Sequence, residues 1–175
     1  MNFLLTCLFD GFLAALAAIG FSANFRPSRK ILLAATLLAP IGHVTRYILL
    51  QVPLGIVSAT LWASVLISLC SMPISRHWHI PAEMFIFPSL LPMVPGMYAY
   101  KTILSVLQFL SGSPNQELLA IIFYNGLTTF FTMGALVIGA NLPLILLRED
   151  APLGRLLLRL LGPRVAKMLH HRSRP

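Results

Sequence analysis

Hydrophobic residues run along this chain in five long blocks, at about residues 3–25, 31–51, 54–75, 84–110 and 118–146, separated by short polar breaks. A helix that crosses a bilayer needs about 20 mostly apolar residues, and each block is long enough. Backbone groups in hydrocarbon must satisfy their own hydrogen bonds, so the blocks are read as helices. The pattern therefore predicts an all-α membrane protein with five transmembrane helices. The breaks differ in chemistry. Arg26-Pro27-Ser28-Arg29-Lys30 is a basic turn and Gln51-Val52-Pro53 an uncharged one. Arg76-His77-Trp78-His79-Ile80-Pro81 is a mixed loop with an interfacial aromatic, and Ser111-Gly112-Ser113-Pro114-Asn115 is a polar turn.

Composition agrees with that picture. The 175 residues are 57% hydrophobic and 10% charged, where a soluble domain carries about 25% charged residues. A net charge of +8 raises the question of a nucleic-acid partner, and the positions of the cations answer it. Of the 13 Lys and Arg, all but Arg46 and Lys101 fall in the turns at 26–30 and 76–81 or in the tail after 147. With the N-terminus outside, all of these are cytoplasmic and the outer connections hold none. The reading is N-out, C-in, multi-pass, in a bacterial inner membrane, with no nucleic acid required. Small residues in the run before Ala23 raise the question of a cleaved signal peptide. Yet no cation precedes it, Asp10 interrupts it, and Arg26, Arg29 and Lys30 follow it, which is the charge order of a retained span.

The chain thus divides into a five-span transmembrane domain, 1–147, and a basic amphipathic cytoplasmic tail, 148–175. In the tail Leu153, Leu156, Leu157, Leu160 and Leu161 share a helical face while Arg155 and Arg159 lie off it. Such a helix lies on anionic lipid headgroups; docking to a partner subunit is the alternative. Cys7 and Cys70 sit inside apolar blocks without metal-type spacing and read as small hydrophobes.

Three ionisable side chains other than histidine remain within the blocks: Asp10, Arg46 and Lys101. Each costs about 2.5–3.5 kcal/mol at a bilayer centre, so none is expected to face lipid unpaired. At a rise of about 1.5 Å per residue they lie roughly 10, 8 and 13 Å from the outer ends of their helices. His43, one turn below Arg46, and Asn125 fall in the same outer-half layer. The coincidence points to a polar cluster in which Asp10 neutralises Arg46 or Lys101, leaving one excess cation to attract a carboxylate. Two plainer readings stand beside it: Arg46 as a side chain that snorkels to the headgroups, and His43 as a hydrogen-bonded core residue instead of a proton carrier.

The fourth block contains Phe87-Pro88-Ser89-Leu90-Leu91-Pro92-Met93-Val94-Pro95-Gly96. Each proline removes a backbone donor and disturbs the preceding turn, so this helix is expected to be broken. Pro40-Ile41-Gly42 in the second block predicts a milder break. Transporters use such interruptions to aim freed backbone groups at a substrate. Small residues at Gly11, Ala14, Ala15, Ala18 and at Gly134, Ala135, Gly139 read as helix-packing faces. No histidine pair flanks a glutamate, and there is no glycine-rich phosphate loop or nucleophile elbow. No catalytic residue, metal or cofactor is expected, and the chain does not read as an enzyme.

The stretch Ile41-Gly42-His43-Val44-Thr45-Arg46, the later Pro92-Met93-Val94-Pro95-Gly96-Met97-Tyr98-Ala99-Tyr100, and Asn125 with Gly134-Ala135-Leu136 and Gly139 resemble the threonine/serine exporter family. Asp10, with Leu13-Ala14-Ala15 and Gly20-Phe21 after it, fits the same pattern. The resemblance covers nearly all of residues 8–147 and is to the family's C-terminal membrane half, a separate small subunit in some bacteria. It implies export of small amino acids or dicarboxylates, coupled to the proton gradient, by a half-carrier that works with a larger subunit resembling the family's N-terminal half. Lys101 departs from the pattern, where a small polar residue stands. Arg46, Lys101, Asn125, Pro95 and Gly96 are the expected substrate-binding residues, and Asp10 and His43 serve proton coupling or charge balance. The alternative function is a membrane scaffold or assembly factor whose polar layer binds a neighbouring subunit.

Overall fold

A computed structural model describes residues 3–24, 27–112 and 115–147, and every regular element among them is helical. Helix α1 spans Phe3–Asn24, α2 Arg29–Leu50, α3 Gly55–Trp78, α4 Glu83–Leu90, α5 Gly96–Leu110 and α6 Gln116–Leu146, with a 3-10 turn at Leu91–Met93. Helices α1, α2, α3 and α6 are each long and apolar enough to cross a bilayer. Residues Glu83–Met93 and Gly96–Leu110 make a fifth span if taken together, bent by 55° at the break. The tail expected to be amphipathic, 148–175, lies outside the described residues.

Two expectations are corrected. Helix α2 runs unbroken through Pro40, because one proline removes one donor and its neighbours compensate. A Cβ on Gly11 of α1 would lie 3.5 Å from the Pro40 Cβ and 3.1 Å from Val44, so α1 is packed directly over the proline. The loop expected at 76–81 is shorter, since Arg76, His77 and Trp78 form the last turn of α3. Cations there complement the helix C-terminus. His79, with φ 58°, then ends the helix in the left-handed region.

Helix α1 packs on α2, α2 on α3, α3 on α6 and α6 on α5, while α4 lies chiefly on α2. Lipid tails are as apolar as leucine, so close contact rather than hydrophobic drive holds such helices together. The residues at the contacts are accordingly small. Ala34, Ala35 and Ala63 are fully buried with Leu38, Ile67, Phe85 and Met93. A Cβ on Gly42 would come within 2.7 Å of Ile67 Cγ1, and one on Gly139 within 2.7 Å of the Leu61 carbonyl oxygen. Hydroxyls join α3 to α6: Ser68 Oγ donates to the Ala140 carbonyl at 2.7 Å and Ser64 Oγ to that of Ala135 at 3.3 Å. The opposite faces carry Leu8, Phe9 and Phe12 of α1 and Phe123, Phe130 and Ile145 of α6, all exposed. That is the surface a lipid solvent requires.

Candidate functional site

The break between α4 and α5 follows from local sterics. A residue before proline is pushed out of the helical region, and Val94, ahead of Pro95, has φ −58° and ψ 130°. Pro95 itself has ψ 58°, and Gly96 N–H turns back to the Val94 carbonyl at 2.8 Å. Among the described residues no backbone N–H across the break reaches the Met93 carbonyl. Arg46 of α2 does so instead, donating from a guanidinium nitrogen at 2.8 Å. A side chain that is expensive in hydrocarbon and a carbonyl stranded by a helix break thus satisfy each other.

Three residues earlier on α2, His43 Nδ1 lies 2.7 Å from Asp10 Oδ2 of α1, with side chains 26% and 28% exposed. With the carboxylate ionised it can only accept, and Nδ1 is then the donor of this bond. Asp10 is therefore partnered by His43, which corrects the expectation that it pairs with Arg46 or Lys101. Asp10 and Tyr98 line the same cavity as Arg46. Among the described residues no carboxylate makes a direct ion pair with Arg46. One of its five donors is taken by the Met93 carbonyl.

These groups open on one cavity of about 300 Å³, lined by Asp10, His43, Arg46, Tyr47 and Leu50 on one side and by Pro92, Val94 and the stretch from Pro95 to Tyr98 on the other. The volume is at the low end for small-molecule sites. Two larger cavities flank α4 near the opposite end of the bundle, and their walls are mostly apolar. The smaller one holds Asp10, His43 and Arg46, while the larger two share Glu83.

The cavity gathers Asp10, His43, Arg46, Pro95 and Gly96. Lys101 and Asn125 stand apart. Lys101 lies one turn beyond Met97 on the exposed face of α5, past the rim of the cavity. Asn125 is 6% exposed and donates to the Ile121 carbonyl of its own helix at 2.8 Å. Sequence reasoning passed over Tyr47, which lies one turn from His43 on the same face of α2. Tyr98 and the Met93 carbonyl were missed too; the three-proline segment was the signal for the freed carbonyl. Among the described residues no three His, Cys, Asp or Glu side chains converge as a metal site would need.

Four apolar helices and a bent fifth span, with an arginine facing a cavity at the bend, are the arrangement of a multi-pass membrane protein. The sequence matches the family described as "Threonine/Serine exporter, ThrE" over residues 10–146, and the chain belongs to that family. An uncharacterized protein of Haemophilus influenzae is 33% identical over 150 residues, which is 86% of this chain and 50% of the relative. The chain thus spans about half the length of the curated relative it matches. No solved structure matches.

Proposed function

We propose that this chain is one half of a secondary exporter of small amino acids or dicarboxylates, driven by the proton gradient across a bacterial inner membrane. The observation that carries the reading is the Arg46 guanidinium, held at a helix break by the Met93 carbonyl and open to a cavity. A fixed cation with spare donors is suited to a substrate carboxylate, which it can grip in two places. The Asp10–His43 pair beside it is a place to take up and release a proton while that charge changes partners. Pro95 and Gly96 form the hinge of an alternating-access movement. Lys101 and Asn125 join the pathway only when α5 swings about that hinge, so Lys101→Ala tests the movement.

The segregation of cations into the turns at 26–30 and 76–81 and the tail supports N-out, C-in insertion. The half-length match supports a second half beside this one, and the resemblance to the split form of the family is the reason to place it on a larger subunit. Cells expressing both subunits are loaded with L-threonine, L-serine or succinate and efflux is followed, with each subunit omitted in turn. Export is expected only with both present, and Arg46→Ala is expected to abolish it at unchanged membrane abundance. Normal export by that variant removes Arg46 from the mechanism.

A further inference from the structure

Past the bend, α5 packs on α6. A Cβ on Gly126 of α6 would stand 3.5 Å from Thr102, which fixes the level at which the two helices meet. The other side of α5 carries Met97, Lys101, Leu104 and Gln108, all exposed. Their spacing of four, three and four residues sets them in one line along the helix. Methionine and leucine on that line suit lipid. A lysine inside the span does not, at a cost of about 2.5–3.5 kcal/mol near a bilayer centre. Among the described residues Lys101 makes no ion pair. The chain's own carboxylates are placed elsewhere. Asp10 is taken by His43, and Glu83 begins α4 at the opposite end of the bent span. Glu117 is in the first turn of α6, about 15 Å along the axis from the level of Lys101. Glu149 and Asp150 follow α6 in the sequence, and its last residue is about 30 Å from that level. Escape to the headgroups is also hindered. A Cα–Cβ bond tilts toward its helix N-terminus, which for α5 is the bend, so the Lys101 stem sets out away from the outer surface.

We propose that the line through Met97, Lys101, Leu104 and Gln108 is the seat of a membrane helix of the second half, with an Asp or Glu of that helix against Lys101. The identity of the partner rests on the half-carrier reading; the call for a carboxylate rests on the placement of Lys101. A second copy of this chain is a poor occupant. Two copies meeting on this face about a twofold axis would set Lys101 against Lys101 at one depth, and like charges repel. Met97 also lines the cavity that holds Arg46, so the seated helix borders that cavity. The ion pair holds α5 in the bent position described here, and a swing of α5 about Pro95 and Gly96 breaks it.

The test co-expresses the tagged full-length chain with the larger subunit and reads recovery of that subunit in mild detergent, at equal membrane abundance. Lys101→Glu is expected to cut recovery about tenfold and Lys101→Leu several-fold. Ile103→Trp, exposed on a different line of the same helix, is expected to leave it unchanged. Each intramembrane Asp and Glu of the larger subunit is then replaced by Lys in turn, and one such change is expected to restore recovery with Lys101→Glu. Undiminished recovery in Lys101→Glu overturns the inference, as does a loss that no change in the larger subunit restores. Restoration by added phosphatidylglycerol alone assigns Lys101 to a lipid phosphate and also overturns it. So does a disulfide between two copies carrying Leu104→Cys, with Cys7 and Cys70 replaced, since it seats a second copy there. A wild-type chain that recovers no larger subunit ends the half-carrier reading and this inference with it. A restored ion pair in a complex that exports neither threonine, serine nor succinate keeps the interface and removes the exporter reading.

Discussion

Asp10, His43 and Arg46 sit close together without sharing one bond network. Asp10 and His43 hold each other at 2.7 Å, and Arg46 holds the Met93 carbonyl at 2.8 Å. Asp10→Asn keeps an acceptor for His43 but removes the charge-assisted part of the bond, a loss of about 1 kcal/mol. The larger effect expected is on coupling: efflux measured under imposed pH gradients of either sign loses its dependence on the gradient. A variant that still follows the gradient like the wild type takes Asp10 out of the coupling step. The residue types and their depth were legible in the sequence, because ionisable groups in hydrocarbon are rare and costly. Their partners were not. Depth places side chains in a layer, whereas pairing depends on helix rotation and on which helices are neighbours. Lys101 and Asn125 share the layer and stand apart for that reason.

Among the elements, the bent span and the continuous α2 show what proline spacing does and does not reveal. Pro40 stands alone and is absorbed by packing against α1. Pro92 and Pro95, three residues apart, leave the chain no way to close consecutive helical turns, and the break falls at residues 94–95. Pro88, counted in the sequence as part of the same break, lies inside α4. Glycines were equally uneven. Gly134 and Gly139 look alike in sequence, yet a Cβ at Gly134 meets nothing within 4 Å while one at Gly139 meets the Leu61 carbonyl and Ser64. Backbone cannot step aside as a flexible side chain can. Gly139→Ala is therefore expected to destabilise the helix bundle by about 1–3 kcal/mol, and Gly134→Ala to leave it unchanged. Thermal unfolding in detergent of the two variants side by side checks the contrast.

For the whole molecule, orientation follows from where cations sit. With Cys7 and Cys70 replaced, a membrane-impermeant maleimide is expected to label Gln51→Cys in intact cells and to leave Ser28→Cys unlabelled until the membrane is opened. The reverse pattern inverts the topology, and with it the side on which the polar cavity opens. All-helical architecture and span boundaries within a few residues were readable from hydropathy, because a bilayer imposes length and composition directly. Which helices touch was not readable, since α3–α6 contact depends on small residues 70 or so positions apart, such as Ser68 and Ala140, and the sequence carries no mark of that pairing.

The central claim is that the positive charge of Arg46 acts on substrate and its hydrogen bond acts on the fold. Arg46→Gln separates these, because glutamine retains an N–H donor for the Met93 carbonyl but carries no charge. The deciding measurement is L-threonine efflux from cells in which this variant replaces the wild-type chain at equal membrane abundance and equal thermal stability. Efflux is expected at the level of cells lacking the chain. Efflux at the wild-type rate contradicts it.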